Sequence, residues 1–193
     1  MTKPYDARVT PPEKRTLRTN LRAQRRAIAA ARDLGADARA LTEHVLTLLA
    51  ASGVGPGDPV TLYDSTPVEP PTGPLRRALA AAGIPVLLPI TLVDLDLDWF
   101  LDGDPEQSPL GKDAIARARL VLAPGLAVDS GGGRLGQGGG CYDKALPRRA
   151  PGTPVHVLLH PGEVSSQALP SEPHDVLVDG VVTADGALLC RDH

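Results

Sequence analysis

The chain has 193 residues, 42% of them hydrophobic, with 23 acidic against 20 basic side chains and a net charge of −3. That length fits one domain that buries a core without disulfide staples, and the charge argues against a nonspecific nucleic-acid binder. Aromatic residues make up only 3% of the chain, so the core must be built from Leu, Val and Ala.

The opening residues, "MTKPYDARVTPPEKR", contain no apolar stretch, so no secretory signal is expected, and residues 1–9 read as a mobile tail of a single domain spanning 1–193. Thr10-Pro11-Pro12-Glu13 reads as a capping box. The helix it starts runs to about Ala31, with Leu17, Leu21 and Ile28 on one stripe and Lys14, Arg18, Arg22 and Arg25 along its flank. Asp37 is expected to open a second helix, with Leu41, Val45, Leu48 and Leu49 inward, ending near Gly53. A strand follows at Asp58–Asp64, then a proline-rich turn. Thr72 is expected to cap a short helix that Gly83 ends.

Strands are then expected over 84–89 and in "LDLDWF", where acids alternate with apolar residues as on a strand with one wet face. Lys112–Arg119 reads as helical, "LVLAPGLAV" as one continuous strand, Tyr142–Arg149 as a helical turn or two, and "TPVHVLLH" and "VLVDGVVT" as late strands. Strands that are apolar on both faces and alternate with helices imply a three-layer α/β/α domain with a central, mostly parallel sheet. No apolar run approaches the ~20 residues of a membrane span. A cytoplasmic protein with no membrane partner is the expectation.

The stretch "VDSGGGRLGQGGGCYDKAL" carries seven glycines from Val128 to Leu146. It follows a buried strand and precedes a helix, which is where open α/β sheets bind ligands. Bare amides there converge on anions, Arg134 offers a fork for phosphate oxygens, and Asp143 is an oxygen ligand suited to Mg²⁺. A flexible connection is the competing reading. Gly131, Gly133 and Gly136 spell GxGxxG, but the loop comes late and no acid follows at the distance a Rossmann fold needs. The absence of G-K-[ST] excludes a Walker A loop. Cys141 and Cys190 lack the spacing of a zinc site, and His156 and His160, two ligands without a third, read as structural.

The run from Pro124 to Leu146, "PGLAVDSGGGRLGQGGGCYDKAL", resembles the signature of the 5-formyltetrahydrofolate cyclo-ligases. Lys14-Arg15-Thr16-Leu17-Arg18 is similar to the family's first helix. Glu69, Gly83 and Pro89 reproduce its glutamate spacing, and "LPSEPHDVLVDGVVTADG" fits its C-terminal pattern. The resemblance implies the topology of the sugar-phosphate isomerase and CoA-transferase-like group. It implies ATP- and Mg²⁺-dependent conversion of 5-formyltetrahydrofolate to 5,10-methenyltetrahydrofolate, with folate and ATP as the partners of a monomer.

By that resemblance Lys14, Arg18, Arg134, Gly136, Gly138, Gly139 and Gly140 would hold ATP, with Arg134 and Tyr142 catalytic. Asp143 and Asp175 would hold the metal, and Glu69, Gln137, Cys141 and Trp99 would contact folate. Three positions depart from the pattern. Cys141 stands where many members carry tyrosine, Gly139 where some carry lysine, and Ile90 where a basic residue is common. Trp99 is the one large ring available to replace the missing tyrosine. A binding paralogue without catalysis and a sugar-phosphate isomerase on a related fold remain the alternatives.

Overall fold

The computed structural model describes residues 12–172 and 175–190. The expected mobile tail, the Thr10 cap and the Pro173-His174 pair of the C-terminal pattern lie outside the described residues. Seven strands form the main sheet: β1 (Val60–Thr61), β2 (Val86–Thr91), β3 (Leu97–Leu101), β4 (Leu120–Pro124), β7 (Val155–Leu158), β9 (Gly180–Thr183) and β10 (Gly186–Leu189). Their order is β10-β9-β7-β4-β1-β2-β3. The pairs β9/β7, β7/β4, β4/β1 and β1/β2 are parallel, and the two edge strands join antiparallel. Val60 pairs with both Val86 and Leu120, so β1 is the centre from which the chain first builds one way and then the other.

Successive residues of these strands point to opposite cores, and both are apolar. Val60, Leu62, Val86, Leu88, Leu120, Leu122, Leu158 and Val182 face one cluster, with Leu41, Val45, Leu49, Leu75 and Leu79 from helices α2 (Leu34–Ala51) and α3 (Gly73–Ala81). Leu87, Val121, Ala123, Val155, Val157 and Val181 face the other. That second face is covered more thinly, by a 3₁₀ turn at Lys112–Arg117, helix α4 (Cys141–Ala145) and a 3₁₀ turn at Leu146–Arg148. The three-layer reading therefore holds, and burial on both faces explains strands that do not alternate apolar with polar. No described helix is long and apolar enough to cross a membrane.

Local details differ from expectation for identifiable reasons. Asp33, not Asp37, caps α2: its carboxylate accepts from the amides of Gly35 and Ala36, both at 3.0 Å. Asp37 sits in the first turn and pairs with Arg32. Thr72 makes no side-chain cap to α3; its hydroxyl instead donates to the Tyr63 carbonyl at 2.8 Å and ties the preceding loop. Both helices end in the same way. Gly53 and Gly83 each take φ +69°, and the next residue, Val54 or Ile84, donates back to Leu49 or Leu79 at 2.9 Å. The apolar pair formed at each end completes a Schellman stop.

The largest correction falls at "LVLAPGLAV". It is not one strand. β4 ends at Pro124, the chain turns at Gly125, and β5 (Ala127–Asp129) leaves the main sheet. β5 pairs instead with β6 (Arg134–Leu135) and β8 (Val164–Ser165) in a small second sheet. A Cβ on Gly125 would lie 2.8 Å from a methyl of Val157, so only glycine turns that corner.

Candidate active site

Helix α1 (Pro12–Ala31) is built unlike its neighbours. Its buried residues are Lys14 and Arg25, while Leu17, Leu21 and Ile28 are half-buried. It is held by charge. Lys14 lies 3.2 Å from both Glu172 and Asp175. Arg18 donates to the Gly136 carbonyl at 3.0 Å, and Arg22 donates to the carbonyl of Gln137 and, at 3.0 Å, to its side-chain oxygen. Arg25, 2% exposed, makes two 2.7 Å bonds to Glu163 and donates to the Gly125 carbonyl. Helix and glycine loop thereby form two walls of one cleft.

The cleft is a cavity of about 480 Å³ at the C-terminal ends of β1, β2 and β4. This is the switch point of the sheet, where open α/β folds bind ligands. It is lined by Lys14, Arg18, Glu69, Arg134, the loop from Gly136 through Asp143, and Asp175. Every site residue expected from sequence is therefore at this one cavity except Trp99. Trp99 is fully buried and meets the Tyr142 ring edge-on, at 6.4 Å between centroids and 82° between planes. It is a buttress behind Tyr142 and does not replace a ring at Cys141. Sequence reasoning missed Tyr63, Asp64 and Glu172, which also line the cavity. The first two read only as the end of a strand.

Arg134 is the hub of the inner wall. Its side chain is 5% exposed, pairs with Asp143, and donates to the Pro124 carbonyl at 3.3 Å. Its guanidinium lies 5.8 Å from the centroid of the Tyr142 ring, and its Nε has no partner. Close approach explains one of the glycines: a Cβ on Gly133 would sit 2.6 Å from the Asp129 carboxylate. The loop thus divides by task. Its first half folds around Asp129, which accepts from the amides of Gly131 and Gly133 at 2.9 Å. Among the described residues, the amides of Gly138, Gly139 and Gly140 have no acceptor.

The lining mixes both signs of charge, with Asp64, Glu69, Asp143, Glu172 and Asp175 facing Lys14, Arg18 and Arg134. Burial and the nearby charge of Arg22 pull Arg18 below the usual arginine range, opposed by Asp143, Asp175 and Glu172. Lys14, Arg18 and Arg134 surround the same space. The Cys141 thiol is pushed up by burial, so it stays protonated and is a poor nucleophile. Among the described residues no cluster of three His, Cys, Asp or Glu is arranged to hold a metal unaided. Asp143, Glu172 and Asp175, hard oxygen donors of the type Mg²⁺ takes, line the cavity and are paired with Arg134 and Lys14. His160 does not face a metal; its Nε2 lies 3.1 Å from the Val68 carbonyl.

Fold and cavity together define an α/β protein with one polar-lined cavity at the C-terminal ends of its central strands. Residues 10–184 match the model of the 5-formyltetrahydrofolate cyclo-ligase family. The chain is 32% identical to the 5-formyltetrahydrofolate cyclo-ligase of Mycolicibacterium smegmatis, over 91% of this chain and 95% of that protein. A mitochondrial 5-formyltetrahydrofolate cyclo-ligase of Arabidopsis thaliana is 41% identical over 36% of this chain and 28% of its own length. Among solved structures, the 5,10-methenyltetrahydrofolate synthetase of Mycoplasma pneumoniae superposes with a TM-score of 0.72 at 17% identity, covering 89% of this chain and 98% of that one. The synthetase of Aquifex aeolicus gives 0.67 at 22% identity, covering 92% and 94%. These two likenesses carry the fold. The chain belongs to the 5-formyltetrahydrofolate cyclo-ligase family, a family of ligases.

Proposed function

We propose that the protein converts 5-formyltetrahydrofolate to 5,10-methenyltetrahydrofolate with consumption of ATP. One observation carries this reading: residues from the first helix, the loop after β1, the glycine loop and the C-terminal segment converge on one cavity. The amide-like formyl oxygen is a poor leaving group. In the proposed reaction it attacks the γ-phosphorus and ADP departs. N10 then attacks the activated formyl carbon and loses its proton, and inorganic phosphate leaves as the ring closes.

The chain's own part is positioning and charge neutralisation. Lys14 and Arg18, one helical turn apart, hold phosphate oxygens from one wall. Arg134 and the unpaired amides of Gly138 to Gly140 hold them from the other, with Gly136 and Gln137 anchoring α1 to the loop. Asp143 and Asp175 would hold Mg²⁺, which when bound neutralises phosphate charge. Glu69 accepts hydrogen bonds from the pterin. Tyr142, braced by Trp99, floors the transfer site, and Cys141 borders the folate.

The test is the growth of the methenyl chromophore from 5-formyltetrahydrofolate with ATP and Mg²⁺. Arg134→Ala is expected to lower turnover by about 10²–10³-fold, as for loss of one preorganised donor to a developing charge. Full activity in Arg134→Ala removes that role. Tight binding of both ligands by the wild type without product identifies instead a binding paralogue, the reading that the departures at Cys141, Gly139 and Ile90 motivate.

A further inference from the structure

The cavity wall holds a polar group that the proposed chemistry has not used. Tyr63 lies just past the end of β1, lines the cavity with Glu69 and Tyr142, and is 4% exposed. Its hydroxyl is buried and has no hydrogen-bond partner among the described residues. Buried hydroxyls are nearly always paired, so an orphan on a cavity wall needs an explanation. Two backbone groups here are tied: the Tyr63 carbonyl accepts from Thr72 at 2.8 Å, and the Leu62 amide donates to Leu87 at 3.0 Å. The ring is buried while its polar end is left over. Burial, followed by the charge of Glu69, pushes this phenol well above the usual tyrosine range. It stays a neutral O–H able to donate.

The neighbouring groups show what would complete it. One oxygen of Glu69 accepts from the amide and the hydroxyl of Thr66, each at 2.9 Å. The other faces Arg25 at 3.9 Å, beyond hydrogen-bond reach, and has room for a ligand donor. The Tyr142 hydroxyl is also unpartnered. This end of the cavity therefore offers one carboxylate oxygen short of a donor beside a phenol short of an acceptor. The matching ligand edge carries an N–H next to a ring carbonyl.

We propose that Tyr63 is a specificity-determining residue of the folate end, its O–H donating to the ring carbonyl of the pyrimidinone edge whose adjacent N–H donates to the free oxygen of Glu69. This rests on the proposed folate reading of the cavity. It assigns a contact to a residue that otherwise only terminates a strand. Tyr63→Phe removes a single oxygen from a site where that oxygen has no partner in the free protein. The free variant therefore keeps its fold and melts at or above the wild-type temperature.

Calorimetric titration of wild type and Tyr63→Phe with 5-formyltetrahydrofolate alone, and separately with ATP alone, gives the test. The expected result is about a tenfold weaker folate Kd with an unchanged ATP Kd and no loss of melting temperature. An unchanged folate Kd overturns the inference. So does a parallel loss of folate affinity, ATP affinity and melting temperature, which marks a structural hydroxyl. Methenyl formation by the wild type separates the two levels. If product forms while Tyr63→Phe binds folate normally, the contact is wrong and the reaction stands. If the wild type does not bind 5-formyltetrahydrofolate, both fall.

Discussion

Helices α1 and α2 follow one another in the chain and dock by opposite means. α2 buries Ala38, Leu41, Val45 and Leu49 against the sheet. α1 buries Lys14 and Arg25 against loops and carboxylates. An apolar face gains its free energy from the area it removes from water, whatever the ligand state. A charged face gains it from partners held in place, and it can exchange some of those partners for a ligand. The difference separates a helix that stabilises the sheet from one that builds a site.

The most direct way to break that comparison is Arg25→Ala. The substitution leaves Glu163 buried with no cation and the Gly125 carbonyl without its donor. Removing one partner of a buried pair costs about 3–5 kcal/mol. Urea unfolding should show a loss of that order. A loss below about 1 kcal/mol would mean that α1 is held by its half-buried leucines after all.

Leu41→Ala and Arg18→Gln sharpen the same contrast. Leu41 is 1% exposed, and its truncation should cost about 2–5 kcal/mol of stability while leaving the KM for ATP unchanged. Arg18→Gln should do the reverse, raising that KM about tenfold, or about 1.4 kcal/mol, with little change in urea midpoint. Steady-state kinetics beside urea titrations on both variants decide the matter. Two variants that shift the same quantity would erase the division of labour.

Much of this division is legible in sequence because chemistry at short range survives in it. The glycines flanking Arg134 suggest an anion cradle by composition, whereas Lys14 and Arg18, four residues apart, read alone as a solvated helix edge and point to the site only through the family resemblance. Doubly apolar strands announce a sheet covered on both faces. What stays hidden is set by distant partners. Arg25 finds Glu163 across 138 residues, so on sequence it is one more flank cation. The break at Gly125 depends on how close Val157 comes, and an unbroken apolar run conceals it. Trp99 shows the same limit. A lone tryptophan in a half-wet strand reads equally as a binding ring or as core, and only the position of Tyr142 settles it.

A third kind of burial completes the comparison. His156 is 3% exposed on the sheet face it shares with Leu158, and among the described residues neither ring nitrogen has a partner. Its ring lies over Gly180, where a Cβ would come within 2.7 Å of it. Burial lowers its pKa, only partly opposed by Asp179, so the folded protein holds a neutral imidazole. An unfolded histidine titrates near ~6.5. Below that pH the unfolded chain binds more protons than the folded one, so stability falls as pH falls and continues to fall until the folded-state pKa is passed; above it this residue adds no slope. Melting temperature measured from pH 7.5 downwards should therefore decline through the histidine range, and His156→Leu, which loses no hydrogen bond, should flatten that decline. An equally steep acid limb in His156→Leu would show that the buried imidazole is not what the fold protects from protons.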